Sequence, residues 1–180
     1  ECGLMIMGNI PLSEHRRPLS YRYFDSLPQS FRESALLDRF HCFIEGWHLP
    51  RVNKGIIYKG WTLNVEYFSE VLHSLRTQSV YGVLFDELVA CDKNADTRDF
   101  NAVKRIAVAY MKLLFPHWTH VEDVNLNDFD TFCLQPAIRR RGIIKGQCHY
   151  IDAEFNSAMP DFWIKVDRLS SKGVVEDRLF

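Results

Sequence analysis

The chain has 180 residues, a formal net charge of −1 at pH 7, 47% hydrophobic residues and 13% aromatic residues. This composition is sufficient for an apolar core and argues against a disordered chain. The near-neutral charge excludes a global attraction to nucleic acid or acidic membranes, so such binding would need a local patch. No apolar run approaches the roughly eighteen residues of a membrane span, and we expect no membrane partner.

The five cysteines are odd in number and irregularly spaced, so they do not predict a disulfide framework. Most lie inside apolar runs, where cysteine behaves as a small hydrophobe. Cys42 beside His41 and Cys148 beside His149 lack the ligand spacing of a zinc site, and we expect no bound metal. The absence of a disulfide pattern and of a secretory signal pattern predicts a cytoplasmic protein.

The first predicted element is a short apolar strand at residues 4–7, followed by Gly8 and Asn9. Such a run is typical of a buried parallel strand, and ligands collect beyond the carboxyl ends of these strands, which would place Asn9 near a ligand. The alternative is that Asn9 is an ordinary turn residue. A buried strand needs neighbours on both sides, and few strand-like runs follow. We therefore expect the chain to be a fragment of a longer protein.

After a proline-containing loop at residues 10–28, the segment 31–50 contains the most informative local pattern. Its apolar residues 35–37 are followed by Asp38 and Arg39, and residues 40–44 alternate as a half-buried strand does. A charged pair at the rigid end of buried structure can direct a guanidinium group out of the domain. The alternative is a plain salt bridge between Arg39 and Asp38.

Residues 62–141 are predicted to form a bundle of about four helices. The first begins at a cap residue, Thr62 or Asn64, and has an apolar stripe between residues 67 and 75. The second covers residues 79–91. Its predicted inward-facing residues are Val80, Val83, Leu84 and Leu88.

The third helix is predicted to begin at Asp99 or Asn101 and to end before residue 116. The fourth covers residues 121–141, and Pro136 should kink or split it because proline removes a helical hydrogen bond. Residues 147–155 read as a strand.

In their order and spacing, several short motifs resemble the C-terminal half of an AAA+ ATPase module. The closest match is the Lon-related ATPase family of bacteriophage-exclusion (BREX) defence systems, over roughly residues 3–155. The shared motifs are Met-Gly-Asn-Ile at 7–10, Pro-x-x-x-Arg at 28–32, Asp-Arg-Phe-His at 38–41, Gly-Trp-x-x-Pro-Arg at 46–51, Ala-Val-Lys-Arg at 102–105, Lys-Leu-Leu at 112–114 and Arg-Arg-Arg at 139–141.

The resemblance implies the fold class and the domain organisation. Residues 1–50 would be the α/β end of an AAA+ core, and residues 51–145 a mainly α-helical lid bundle. Residues 146–180 would form a short strand-containing tail that links to a following domain.

The resemblance also implies site residues. Arg39 would be an arginine finger that acts in trans on ATP bound to a neighbouring subunit, and Asn9 would be sensor 1. Lys104 or Arg105 would be sensor 2, the alternative for both being a solvated helix face.

One basic cluster remains, formed by Arg139, Arg140 and Arg141. It would contact DNA phosphate, or it would be a solvated helix end in which cations complement the helix dipole.

The sequence lacks a G-x-x-x-x-G-K-[ST] loop, an acidic Walker-B pair and a supported Ser-Lys protease dyad. We therefore expect the isolated chain to bind ATP weakly and to hydrolyse neither ATP nor peptides, with ATP and Mg²⁺ held mainly outside it. The resemblance implies a hexameric homo-oligomer in phage defence that couples ATP hydrolysis to remodelling or translocation, with DNA and other BREX components as partners. The alternatives are a fragment of an MCM-like DNA motor and a non-catalytic helical interaction module.

Overall fold

The computed structural model describes residues 3–165, and its regular structure is mainly helical. The helices are α1 (Ser34–Leu37), α2 (Val65–Arg76), α3 (Val80–Leu88), α4 (Thr97–Leu114), α5 (Leu126–Phe129) and α6 (Gln135–Ile151). A π-helical turn, Asp130–Leu134, joins α5 to α6. Short 3₁₀ helices lie at Tyr23–Ser26, Gln29–Phe31, Gly46–His48, Lys54–Ile56 and Val121–Asp123. The part of the predicted tail beyond residue 165 lies outside the described residues.

The main core lies between α3, α4 and the segment from α5 to α6. On α4 the buried residues Val103, Ala107 and Met111 recur every four positions and form one face of the helix. Phe85 of α3 and Phe129 of α5 meet edge to face opposite this helix, with ring centroids 6.4 Å apart. The mainly helical character predicted for residues 62–141 is therefore confirmed, although α2 contributes no buried residue to this core.

Helix starts were predicted with mixed success. Asn64 caps α2 and accepts hydrogen bonds from the backbone N–H groups of Glu66 and Tyr67, as one of the two predicted caps. The cap of α4 is Asp96, which accepts from the N–H of Arg98, so the predicted caps Asp99 and Asn101 are wrong. Asp96 precedes both predicted caps, and its side chain already accepts a hydrogen bond from a backbone N–H group of the first turn. This leaves Asp99 inside that turn, where its side chain is buried.

Two short strands close one side of the bundle. Strands β1 (Val89–Cys91) and β2 (Phe162–Ile164) pair antiparallel, with Val89 opposite Ile164 and Cys91 opposite Phe162. Phe162 also stacks on Phe100 of α4, with ring centroids 6.4 Å apart. The chain after α6 is thereby fixed to the bundle through the end of α3.

The strand predicted at residues 4–7 is wrong. These residues have no regular secondary structure, and Leu4, Met5 and Met7 are more than two-thirds exposed, at 79%, 73% and 89%. No other described segment pairs with them, and a strand without a partner leaves its backbone groups unbonded. Asn9, which was predicted to follow this strand, lies exposed in the same irregular segment.

Two other strand predictions are also wrong. Residues 40–44 form no strand, and Cys42 and Ile44 are exposed. Residues 147–151 are helical and form the end of α6. The adjacent residues Gln147 and Cys148 are both buried, which does not fit the alternating burial of a half-buried strand. Pro136 behaves as predicted, since it lies where the π-helical turn gives way to α6, in a first turn that tolerates a missing N–H.

Residues 21–49, which we call the N-terminal arm, pack against α6. Phe24 and Leu37 of the arm form a small apolar cluster with Ile144 and Cys148. The cluster is much smaller than the main core, and both partly buried apolar side chains and polar contacts hold the remainder of the arm in place. The arm includes α1 and carries Asp38 and Arg39 to the side of α4.

The apolar stripe of α2 is more exposed than an apolar helix face that packs in a bundle. Tyr67 and Phe68 of its apolar stripe remain 62% and 47% exposed, and Val83 of α3, predicted to face inward, is 55% exposed. Val83 lies on the opposite side of α3 from the buried residues Tyr81, Leu84 and Phe85.

Within residues 3–165, no helix is long and apolar enough to cross a membrane.

Candidate functional site

A cleft of about 190 Å³ lies between the N-terminal arm and the start of α4. Four arginines line it, two from α4, one from α6 and one from the arm: Arg98, Arg105, Arg141 and Arg39. Asp38 is the one carboxylate in the lining of the cleft, so little negative charge offsets the arginines. Several guanidinium groups in one cleft can each donate paired hydrogen bonds to two oxygens of an anion such as a phosphate group.

Arg39 follows directly on the last turn of α1. The backbone N–H of Arg39 donates to the carbonyl of Leu36 at 3.1 Å, so the turn extends through this residue. Its side chain is exposed, and Nη1 donates to the carbonyl of Ala35 at 2.5 Å. Among the described residues Arg39 has no ion-pair partner, and most of its guanidinium donors are therefore available to a ligand.

Asp38 does not pair with Arg39, so the alternative of a plain salt bridge between the two is wrong. Its carboxylate instead accepts from Arg98 at 2.5 Å and from Arg141 at 2.6 Å. Burial raises the pKa of Asp38, but the hydrogen bonds from Arg98 and Arg141 outweigh burial and hold the pKa below its usual value. Asp38 is therefore ionised at neutral pH, and its charge is already matched by two arginines other than Arg39.

Lys104 and Arg105 point to different places. The Nζ of Lys104 pairs with Asp86 of α3 at 2.5 Å, away from the cleft. Arg105 lines the cleft, and its Nη1 lies 3.2 Å from Nε2 of His41. Burial lowers the pKa of His41, and the positive charges of Arg105 and Arg141 lower it further. The neutral ring of His41 can therefore accept a hydrogen bond from Arg105 and orient it.

The three consecutive arginines of α6 do not form one surface. Arg139 is 64% exposed and lies 3.5 Å from Glu45 of the arm. Arg140 donates through Nε to the hydroxyl of Tyr110 at 2.6 Å. Arg141 is buried, with 1% of its side chain exposed, and its guanidinium is occupied by protein acceptors, so it is withdrawn from DNA contact in this conformation.

Two features of this site were missed by sequence reasoning. Arg98 pairs with Asp38 although 60 positions separate them, and Asp99 pairs with Arg141 across 42 positions. No local pattern identifies such partners, because each lies in a different element. The one available signal was the occurrence of Arg98 and Asp99 in the first turn of a helix that leads to Arg105.

Two of the described cysteines, Cys133 and Cys148, are buried. Burial raises the pKa of the Cys133 thiol to about 12 and that of the Cys148 thiol to about 11. Both side chains therefore remain neutral thiols that pack as small apolar groups. The described cysteines, Cys42, Cys91, Cys133 and Cys148, are free. Within residues 3–165, no group of three or more His, Cys, Asp or Glu side chains is arranged to hold a metal ion.

The described residues form a helical domain with an arginine-lined cleft beside the N-terminal arm. Residues 1–161 match the family described as Lon-like protease BrxL-like, ATPase domain, and the chain belongs to this family.

Two relatives carry the name Lon-like protease BrxL. The protein from Escherichia coli O9:H4 (strain HS) is 24% identical over 177 residues, which cover 92% of this chain and 24% of the relative. The protein from Bacillus cereus (strain H3081.97) is 25% identical over 122 residues, 67% of this chain and 18% of the relative. The chain therefore spans about a quarter or less of the length of these relatives.

Proposed function

We propose that this chain is the part of a BREX-type Lon-like AAA+ ATPase that supplies an arginine finger to an ATP-hydrolysing site. The observation that carries the proposal is the state of Arg39, which is exposed at the rim of an arginine-lined cleft and has no carboxylate partner among the described residues. Membership of a family described as an ATPase domain supports the same chemistry.

The chemistry suits a guanidinium at this place. Phosphoryl transfer from ATP spreads negative charge over the γ-phosphate oxygens in the transition state. A positioned arginine stabilises this charge and contributes roughly 10³ to 10⁵ in rate. Because Arg98 and Arg141 neutralise Asp38, no neighbouring carboxylate competes for the side chain of Arg39.

Arg105 is our candidate for sensor 2, in preference to Lys104. Arg105 lines the same cleft as Arg39, whereas Lys104 is held by Asp86 on the other side of α4. Two guanidinium groups in one cleft favour action on one nucleotide. We propose that Arg39 and Arg105 of one subunit both address ATP held by the next subunit.

The remaining expectations belong to the whole protein. ATP and Mg²⁺ would be held mainly outside this chain, since its sequence has no phosphate-binding loop. Asn9 would act as sensor 1 only if its segment pairs with a sheet of the larger core. We further propose a cytoplasmic hexameric ring that couples hydrolysis to remodelling or translocation in phage defence. DNA and other BREX components would be its partners, and Arg139 is the most accessible cation of the α6 arginine run for DNA.

The test replaces Arg39 with alanine in the full-length ATPase that carries this domain. We expect hydrolysis to fall by roughly 10³ to 10⁵, while nucleotide binding stays within a few-fold of normal, because a finger acts on charge that develops in the transition state. Arg17→Ala, which removes an exposed arginine of the loop before the arm, is the matched control and should leave turnover unchanged.

A mixing experiment tests the action in trans. Subunits with Arg39→Ala are combined with subunits that lack the phosphate-binding lysine of the core. Some interfaces then contain one intact finger and one intact phosphate site, so part of the activity should return. Near-normal turnover in the folded Arg39→Ala protein would show that Arg39 has no role in hydrolysis.

A further inference from the structure

Arg141 of α6 holds the backbone on both sides of Arg39. Its Nη1 donates to the carbonyl of Asp38 at 2.9 Å and to the carbonyl of Phe40 at 2.8 Å. Its Nη2 donates to the Asp38 carboxylate at 2.6 Å. The two carbonyls bracket Arg39, so three hydrogen bonds from one guanidinium fix the short segment from which the Arg39 side chain leaves the arm.

Arg141 is itself held rigidly by the helical bundle. Its Nε donates to Oδ1 of Asp99, in the first turn of α4, at 2.8 Å. The other oxygen of Asp99 accepts from Lys145, one turn along α6, at 2.5 Å. Asp99 and Arg141 are each 1% exposed. The position of the segment around Arg39 is therefore linked directly to the packing of α4 against α6.

The network is a costly way to obtain stability. Removing two carboxylates and a guanidinium from water incurs a desolvation penalty that ion pairing only partly offsets, and apolar residues of similar size often stabilise as well. What the network provides in addition is direction, because a guanidinium fork fixes the angles as well as the distances of its acceptors. Directional contacts to backbone atoms are suited to positioning a neighbouring side chain.

We infer that Arg141 is a positioning residue for Arg39, through which α6 sets the place and direction of the finger at the cleft. This inference rests on the proposed function of Arg39 and adds to it the element that controls the finger. A movement of α6 relative to the nucleotide would move Arg39 with it. Helix α4 differs in this respect, since its Arg98 is bonded to the side chain of Asp38 and not to the backbone beside Arg39.

The test is Arg141→Lys in the full-length ATPase. Lysine keeps the charge and can reach one or two acceptors, but its single ammonium cannot reproduce the fork. We expect kcat to fall about 100-fold, the loss typical of a displacement of about 1 Å at a reacting group, while the nucleotide Kd stays within a few-fold. Backbone hydrogen exchange at residues 39–41 should become faster, and exchange in α4 should not change.

Arg22→Lys is the matched control. Arg22 also joins the arm to α6, through a 2.6 Å bond to the carbonyl of Tyr150, but it contacts neither neighbour of Arg39. We expect it to leave kcat and the exchange of residues 39–41 near normal. If Arg141→Lys fails to assemble, Asp99→Asn takes its place, because it weakens the anchor of Arg141 and leaves the bonds to the arm. It should lower kcat by a smaller factor, about tenfold, because Arg141 keeps its bonds to the arm and the displacement is smaller.

A double-mutant comparison separates the inference from the proposed function. In an Arg39→Ala background, measured under single-turnover conditions, Arg141→Lys should cause no further loss if it acts through Arg39. A full additional loss, or normal kcat in Arg141→Lys while Arg39→Ala is inactive, would overturn the positioning role alone. Normal hydrolysis in Arg39→Ala would instead remove the proposed function of the finger.

Discussion

The helical bundle and the N-terminal arm differ in the proportions of apolar and polar contact that stabilise them. In the bundle, large apolar side chains such as Phe85, Met111 and Phe129 are completely buried around α3 and α4. The arm contributes two buried apolar residues, Phe24 and Leu37, to its cluster with α6. Four partly buried side chains of the arm also pack against this cluster: Tyr23, Leu27, Phe40 and Phe43. The remaining links to α6 are hydrogen bonds and ion pairs, chiefly those of Arg22, Gln147 and Arg141.

The difference separates stability from direction. Apolar burial is strong but non-directional, so it stabilises the bundle without fixing where a particular surface side chain points. Hydrogen bonds contribute less free energy each, but their geometry is narrow. We therefore expect the polar contacts to position the arm, which carries Arg39, and we expect the arm to loosen without unfolding the bundle.

The largest expected effect is in the bundle. Phe85→Ala should lower the free energy of unfolding by about 3–5 kcal/mol, because Phe85 is fully buried and its removal leaves a cavity beside Phe129. Val83→Ala on the same helix, where the side chain is 55% exposed, should change it by less than about 0.5 kcal/mol. Chemical denaturation measures both, and equal effects would show that the core does not lie on this face of α3.

A smaller effect is expected from Gln147→Leu, which detaches part of the arm. The amide of Gln147 donates to the carbonyl of Tyr21 and accepts from the N–H of Tyr23, both at 2.7 Å. Leaving these two backbone groups without partners should cost about 1–3 kcal/mol, and hydrogen exchange at residues 21–27 should become faster.

The bundle provides the control for this change. Exchange in α4 should stay as in the unchanged protein, and Gln135→Leu, at an exposed position of the same helix, should affect neither region. Faster exchange throughout α4 in Gln147→Leu would mean that arm and bundle unfold together.

The smallest effect is a dependence on pH. The folded-state pKa of Asp38 lies below its usual value, so its stabilisation is complete above the unfolded pKa of about 3.9 and is lost as the pH falls through the lower folded-state pKa. Asp38→Asn should therefore show a shallower loss of unfolding free energy below about pH 4 than the unchanged chain. Parallel acid titrations of the two proteins would argue against the Asp38 network.

Local signals were sufficient to predict much of the bundle. A cap residue and an apolar stripe both lie within one helix, so α2 with its cap Asn64 could be predicted. Pro136 acts on its own turn and was equally readable. The strand predicted at residues 4–7 was wrong because a strand depends on a partner elsewhere in the chain.

Helix α6 shows why the rest could not be predicted. It is covered on one side by α4 and on another by the arm, so Ile144, Gln147 and Cys148 are all buried and no single apolar stripe marks the helix. Its residues 147–151 therefore read as an alternating strand. Arg141 was assigned to a basic cluster because its acceptor on Asp38 lies 103 positions away in the chain and cannot be recognised locally.

The π-helical turn at Asp130–Leu134 also determines which changes of chain length the protein can tolerate. Each residue of an α-helix advances the side-chain direction by about 100°, and a π-helical turn holds one residue more than an α-helical turn. Deleting one residue within 130–134 would convert this turn to a regular one and leave Arg141 facing Asp38. Deleting one residue between Ala137 and Arg140 would rotate Arg141 out of the interior. Among homologous sequences, single-residue gaps should therefore occur in the π-helical turn and be excluded from the turns that follow it.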